Sequence, residues 1–132
     1  MGQWAEEGID DLFDTYFATA GDYYVALVQD NIINKTDSWT DLTEVTGSGY
    51  AKIALTTITV ATYSSDDRKA TGNQVTFSAT GNWSVARQWV LVTPGVGSGT
   101  WVIVAFNGLT DGDATLVSGE SLNVTVQVNA TG

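Results

Sequence analysis

The chain contains no cysteine and no histidine among its 132 residues. Without these side chains it has no disulfides, no thiol nucleophile, no Cys/His zinc site and no imidazole to act as a general base. The sequence therefore predicts a fold stabilised by packing and backbone hydrogen bonds alone. It also favours a protein that is not an enzyme and that uses no cofactor.

Basic residues are scarce as well. Five lysines and arginines stand against fifteen aspartates and glutamates, which gives a formal net charge of −10. A surface of that sign repels nucleic-acid phosphates and anionic membranes, so we expect neither as a partner. No apolar run reaches the roughly eighteen residues of a membrane-spanning helix. The first seven residues lack a basic stretch followed by an apolar core, which predicts no signal peptide.

What the chain does contain is typical of a folded all-β domain. Hydrophobic residues make up 43% of it and charged residues only 15%, so the polar surface must come from Thr, Ser, Asn and Gly. A length of 132 residues suits one hydrophobic core rather than two. We therefore expect a single domain over residues 1–132.

The N-terminal segment has the periodicity of an amphipathic helix. Its apolar residues recur at the i, i+3, i+4, i+7, i+8 spacing of one helix face: Ile9, Leu12, Phe13, Tyr16 and Phe17. Gly21 is well placed to stop this helix. The pattern predicts a helix over residues 5–19, which either caps one end of the β-structure or docks on another subunit.

Beyond Gly21 the pattern changes to that of strands. Residues 22–28 are apolar at nearly every position, as in a strand covered on both faces. Residues 50–63 suggest a long strand or a bent pair, residues 122–128 alternate strictly between apolar and polar, and further strands are predicted at 75–79, 83–92 and 101–106. Residues 29–49 and 64–73 are predicted to be polar connections.

Six to eight strands at roughly ten-residue spacing predict an all-β fold. We expect a β-sandwich over about residues 22–130, of the jelly-roll or immunoglobulin-like kind, with one N-terminal amphipathic helix.

Candidate chemical sites are few. Asp111, Asp113 and Glu120 are the best candidates for a cation site, because oxygen ligands close in sequence suit Ca²⁺. A turn whose Asp side chains bond the backbone is the favoured interpretation, so no metal site is predicted. Asp66 and Asp67 could form a glycosidase pair in principle. They lie beside Arg68 and Lys69, where solvated charges are the simpler explanation.

The tryptophans admit two interpretations. The chain has five of them: Trp4, Trp39, Trp83, Trp89 and Trp101. Their aromatic faces could form a sugar-binding platform, or they could pack in the core and at subunit interfaces. Packing in the core or at an interface is the favoured interpretation. Trp39 and Trp83 lie next to predicted turns, so we expect these two to be exposed. A carbohydrate-binding module is kept as an alternative on that basis.

Four segments, taken in order, resemble a family of small virion structural proteins of tailed bacteriophages, described as decoration or tail-fibre-like proteins. They are residues 9–17 with 24–27, the Gly-Tyr-Ala-Lys run within residues 43–52, Val-Thr-Phe at 75–77 with Gly-Asn-Trp at 81–83, and Gly-Glu-Ser-Leu at 119–122. The chain departs from the family pattern at residues 84–92 and at Thr-Pro-Gly 93–95.

The resemblance implies a non-enzymatic virion protein, most simply a capsid decoration or cement protein that stabilises the head. A tail-fibre or baseplate subunit is the alternative. The implied partners are the major capsid protein or other virion subunits, and the geometry of capsids suggests a homotrimer. Its location would be the virion, after synthesis in the host cytoplasm. The candidate subunit contacts are Ile9, Leu12, Phe13, Tyr16, Phe17, Trp39 and Trp83.

Overall fold

The computed structural model describes residues 6–62, 67–95 and 100–131. Within them are one α-helix, two short 3₁₀ helices (Ala20–Asp22 and Trp39–Asp41) and nine strands. The helix is α1 (Glu6–Tyr16), and the strands are β1 (Tyr24–Val28), β2 (Ile53–Ala54), β3 (Ile58–Thr62), β4 (Asp67–Gly72), β5 (Val75–Ser78), β6 (Gln88–Pro94), β7 (Trp101–Gly108), β8 (Ser121–Val124) and β9 (Gln127–Thr131). The expectation of an all-β fold with one N-terminal helix is confirmed.

The described strands form three sheets in which every neighbouring pair is antiparallel. The strand orders are β2-β1-β6-β7, β3-β4-β9 and β5-β8. Strands β7 and β9 therefore each lie at the end of a sheet, with a hydrogen-bonded neighbour on one side. The edge positions of these two strands define the site described below.

One apolar core joins all three sheets and the helix. Its members include Val25 of β1, Ala70 of β4, Phe77 of β5, Val124 of β8 and Phe13 of α1. Because successive side chains of a strand point to opposite faces, the sheet that contains β1 has a second face to cover. A smaller cluster covers that face, and the predicted burial of β1 on both sides is confirmed.

The long polar connection after β1 supplies that cover. Ile33, Trp39 and Leu42 pack against Val28 and Val90 on the second face of the four-stranded sheet. Backbone bonds hold the connection in place, since the amide of Gln29 donates to the carbonyl of Thr43 at 2.8 Å. A connection of this length is uncommon in a small domain unless it packs against something, and here it packs against its own sheet.

The helix is shorter than predicted. It ends at Tyr16 rather than residue 19, and Gly21 lies inside the 3₁₀ helix Ala20–Asp22. Residue 5 lies outside the described residues. The hydroxyl of Tyr23 donates to the carbonyl oxygen of Tyr16, and it thereby satisfies one of the free carbonyls at the helix C-terminus.

Two strand predictions were wrong. Residues 64–73 were predicted to be a polar connection, yet β4 (Asp67–Gly72) is the central strand of its sheet, paired with β3 and β9. Its polar composition concealed it, because Ala70 is its only apolar residue in the core and hydrogen bonds along both of its edges hold it in place. Residues 122–128 were predicted to be one strand. They are divided between β8, which pairs with β5, and β9, which pairs with β4.

The other strand boundaries differ less from the prediction. Residues 50–63 form the bent pair β2 and β3, with residue 63 outside the described residues. Strand β6 begins at Gln88 rather than at residue 83. Residues 83–87 instead make isolated bridges, Trp83 with Gly47 and Ala86 with Ala114.

Candidate subunit-contact site

The apolar stripe of the helix is divided between the core and the surface. Ile9, Phe13 and Phe17 are buried inside the chain. Leu12 and Tyr16 remain 47% and 45% exposed. The prediction that all five residues contact another subunit is therefore corrected for the three buried ones, which have almost no surface left to offer. Leu12 and Tyr16 stay candidates for such a contact.

These two exposed residues line an open groove. Leu12 and Tyr16 form one wall of it, and Ile103, Val104 and Val128 from strands β7 and β9 form its floor. The groove has a volume of about 350 Å³ and is lined almost entirely by apolar side chains. Exposed apolar surface of this kind is typical of an interaction site. We call it the helix-side groove.

A second, more polar groove continues from the first. It has a volume of about 550 Å³ and shares Ile103, Val104 and Val128 with the helix-side groove. Its walls are residues 103–107 of β7 and 127–129 of β9, and its far end is formed by the connection after β1, at Asn34, Lys35 and Asp37. The two grooves form one continuous channel along the edge of β7, here called the β7 channel.

Trp39 is half-buried, and a lysine covers it. The Nζ atom of Lys52 lies 4.9 Å from the ring centre of Trp39 and 4.9 Å from that of Trp101. A cation at such distances from two indole rings is attracted to both. Lys52 also forms a 3.0 Å ion pair with Glu44. A sugar ring stacking on this face of Trp39 would have to displace the ammonium group.

Glu44 connects this cation to a half-buried tyrosine. The hydroxyl of Tyr50 donates to Oε2 of Glu44 at 2.6 Å, and the amide of Leu27 donates to the same hydroxyl at 3.0 Å. Burial raises the pKa of Tyr50, and the hydrogen bond to the Glu44 carboxylate raises it further. Glu44 and Lys52 are thus held in fixed positions by their contacts with each other and with Tyr50, which is a structural role.

Trp83 is buried, which corrects the expectation that it is exposed. Only 4% of its surface remains accessible, and its indole nitrogen donates to the carbonyl of Ser48 at 2.8 Å. Its ring also packs edge-on against Tyr50, with ring centres 5.4 Å apart. The turn that precedes Trp83 folds inward onto the turn around Gly47, so proximity to a turn did not imply exposure. Trp83 is therefore removed from the candidate subunit contacts.

The remaining tryptophans give the sugar-platform hypothesis no support. Trp89 is buried in the core and Trp101 is half-buried beside Tyr24. Trp4 lies outside the described residues. The interpretation of Trp89 as a core or strand-face residue is confirmed.

Two of the three acidic candidates, Asp113 and Glu120, have ordinary local partners. Asp113 lies 3.2 Å from Nε of Arg87, and Oε1 of Glu120 accepts the amide of Val117 at 2.8 Å. Gly112, between the two aspartates, has a φ of +86°, which suits the predicted turn. In the part of the chain that the structure describes, no three acidic side chains gather as metal ligands. Asp66 lies outside that part, and Asp67 begins β4.

The floor of the channel was not found from the sequence. Residues 101–106 are apolar and predicted a buried strand, whereas β7 is only half-buried over most of its length. Composition cannot indicate this difference, because an edge strand and a central strand share the same apolar residues. The helix stripe did not indicate it either, because five residues at this spacing are the usual width of one buried helix face.

Within the described residues, no helix combines the length and the apolar character needed to cross a membrane. Comparison of the chain with protein-family models, with curated proteins and with solved structures finds no significant match.

Proposed function

We propose that this chain is a non-enzymatic structural protein of a tailed-bacteriophage virion, and that it decorates and cements the capsid by binding other virion subunits. The observation that carries the proposal is the apolar helix-side groove on an otherwise acidic chain. A surface of this kind suits a protein whose role is to bind another protein. The groove includes Leu12 and Tyr16, two of the residues expected to contact subunits.

The order of the family-like segments supports the same proposal. Two of them meet in space, because the turn at Gly47 pairs with Trp83. The amide of Thr80 also donates to the carbonyl of Ser48 at 3.0 Å. Segments that are far apart in the chain but in contact in the fold suit a structural plan that a family of domains shares. This contact therefore links two of the segments on which the resemblance depends.

The proposal includes the fold type. Val25 of the four-stranded sheet belongs to one core with Ala70 and Phe77 of the two other sheets. Such a common core between sheets supports a β-sandwich of the jelly-roll or immunoglobulin-like kind. The helix then closes part of the core with Phe13 and Phe17. A homotrimer on the capsid completes the proposal, with the major capsid protein as the partner.

Purified virions of the phage that encodes this chain provide the test. Mass spectrometry is expected to detect the chain in particles at many copies, and cryo-electron microscopy to place its density on the capsid surface. Density on the tail would replace the head role with that of a fibre or baseplate subunit. Absence of the chain from washed, infectious particles would overturn the virion proposal altogether.

A further inference from the structure

The β7 channel runs along the edge of a strand rather than over the face of a sheet. Five consecutive residues of β7, 103–107, line it, as do three consecutive residues of β9, 127–129. Side chains of a strand alternate between two faces, so a groove over one face is lined by every second residue. Consecutive residues line a groove only where it follows the strand's edge. The backbone of β7 is therefore part of the channel wall.

That edge of β7 has no neighbouring strand among the described residues, because β7 ends the order β2-β1-β6-β7. Strand β7 spans eight residues, Trp101–Gly108, and pairs with β6 on its other side. The outward N–H and C=O groups of such an edge form a template for one more strand. The chemistry that matches this template is an extended peptide backbone.

The side chains around the edge of β7 indicate which side chains an added strand should have. The pairing of β6 with β7 shifts register between Leu91 and Val92, which leaves Val104 as an extra residue on β7. Val104 and Val128 line both parts of the channel, and Leu12 lines the helix-side groove. An added strand would lay one face on these apolar side chains, so every second residue of it should be apolar.

The negative charge of the chain indicates which residues the other face of the added strand should have. The chain carries a net charge of −10, and the two charged side chains that line the channel, Lys35 and Asp37, have opposite signs and balance each other. Asp11 and Asp14 are exposed on the helix that borders the channel. A second copy of the chain would bring the same negative charge, whereas a basic segment is attracted. The proposed trimer therefore uses a surface other than this channel.

We infer that the open edge of β7 is a strand-addition site, which takes an extended segment of a partner protein that alternates basic and apolar residues. The added backbone pairs with residues 103–107, and its apolar side chains cover Leu12, Tyr16 and Val128. The inference rests on the proposed function only for the identity of the partner, the capsid subunit. The kind of peptide that should bind is inferred from the channel alone.

The test uses the full chain and a synthetic probe, the capped peptide Lys-Val-Lys-Val-Lys-Val-Lys. Amide hydrogen exchange across Trp101–Gly108 is measured with and without the peptide. Strand addition is expected to slow exchange of the outward β7 amides at least about tenfold, because they gain hydrogen-bond partners. Raising the salt concentration should weaken binding, since attraction between exposed charges is screened.

Two control peptides separate strand addition from mere attraction. The same peptide with an N-methyl group on every backbone amide keeps its charge but cannot pair along either edge, and it should not protect β7. The Glu-Val analogue keeps the backbone but reverses the charge, and it should bind at least about tenfold more weakly. Equal protection of β7 by the N-methylated peptide, or binding of the Lys-Val peptide with no protection of β7, would overturn the inference. So would protection that appears without peptide as the protein concentration rises, which would indicate a second copy.

A matched pair of variants locates the site. Leu12 and Val117 are each 47% exposed, but only Leu12 lines the channel. Leu12→Lys should weaken binding of the Lys-Val peptide at least about tenfold, and Val117→Lys should leave it unchanged. Equal effects would place binding elsewhere. Failure of these peptide experiments removes the β7 site and leaves the virion mass spectrometry untouched, whereas absence from virions removes only the partner's identity.

Discussion

Gly47 and Trp83 approach so closely that Gly47 has no room for a Cβ atom. An ideal Cβ on Gly47 would lie 2.7 Å from the Cα atom of Trp83 and 2.7 Å from the carbonyl oxygen of Asn82. Both neighbours are backbone atoms, which cannot rotate away. Gly47 also has a φ of +152°, which side chains rarely adopt. The contact joins two turns that are separated by more than thirty residues in the chain.

We therefore expect Gly47→Ala to lower the free energy of unfolding by about 2–3 kcal/mol, because the two turns must separate. Gly119→Ala is the control. Gly119 also has a positive φ, +88°, but nothing lies within 4 Å of its ideal Cβ. Backbone strain alone should cost it about 1 kcal/mol. Urea unfolding of the two variants measures the difference, and equal losses would show that the contact with Trp83 contributes little.

The hydroxyl of Tyr50 is expected to contribute to stability. It accepts the amide of Leu27 at 3.0 Å and donates to Glu44 at 2.6 Å. Leu27 is fully buried, so Tyr50→Phe leaves its amide without this partner and away from water. Leaving a buried donor unpaired costs about 1–3 kcal/mol. Thermal or urea unfolding should reveal that loss.

Tyr24→Phe is the matched control for this change. Tyr24 is half-buried, and its ring packs edge-on against Trp101 with ring centres 5.1 Å apart. Removal of its hydroxyl keeps that ring contact, so we expect a change within about 0.5 kcal/mol. A loss from Tyr24→Phe as large as that from Tyr50→Phe would contradict a special role for the Tyr50 hydroxyl.

Stability is expected to fall in alkaline solution because of two tyrosines. Burial raises the pKa of Tyr23 from 10.0 to about 12, with smaller contributions from Tyr16 and Asp22, and burial raises the pKa of Tyr50 as well. Above pH 10 the unfolded chain loses these protons while the folded chain keeps them. The contribution to stability is thus complete below pH 10 and is lost as the pH rises toward 12 and beyond.

Each such tyrosine should steepen the loss by about 1.4 kcal/mol per pH unit. Urea unfolding at a series of alkaline pH values measures the slope, and phenolate absorbance follows the ionisation directly. Tyr23→Phe should make the slope shallower between pH 10 and 12. An unchanged slope in that variant would show that Tyr23 ionises alike in the folded and unfolded chains.

Calcium is expected to leave the protein's stability unchanged. Asp113 lies beside Arg87, and Glu120 accepts the amide of Val117, so neither is arranged around a shared point. A ligand that binds only the folded state raises the unfolding temperature. We predict no larger shift with about 1 mM Ca²⁺ than with the same concentration of Mg²⁺, measured by thermal unfolding. A selective rise with Ca²⁺ that Asp111→Asn abolishes would restore the cation site.

Several features could be predicted from the sequence because local patterns specify them. The helix follows from the spacing of Ile9, Phe13 and Phe17, which the structure places in the core. The burial of β1 on both faces follows from its unbroken apolar run. The strict alternation of residues 122–128 correctly indicated one buried side, since Val124 and Val126 are both in the core. It could not show that the chain passes from one sheet to another between them.

Other features depend on long-range pairing and could not be predicted. Arg68 and Lys69 suggest a solvated loop, but β3 and β9 hold that segment between them as β4. Lys52 gives no sequence signal of its position between Trp39 and Trp101, which come from distant segments. Trp83 looked exposed because it follows a turn, and only the contact with Gly47 and Ser48 buries it.

The sequence by itself determined the class of this protein: an acidic, all-β domain with one amphipathic helix and no cysteine or histidine chemistry. Composition and short-range periodicity are enough for that, because each element forms where its own residues repeat with the right spacing. Only the tertiary structure decided which part of the apolar surface stays open. The edge of β7 and the exposure of Leu12 and Tyr16 depend on how the sheets end and where the helix packs, and no local pattern encodes those two outcomes.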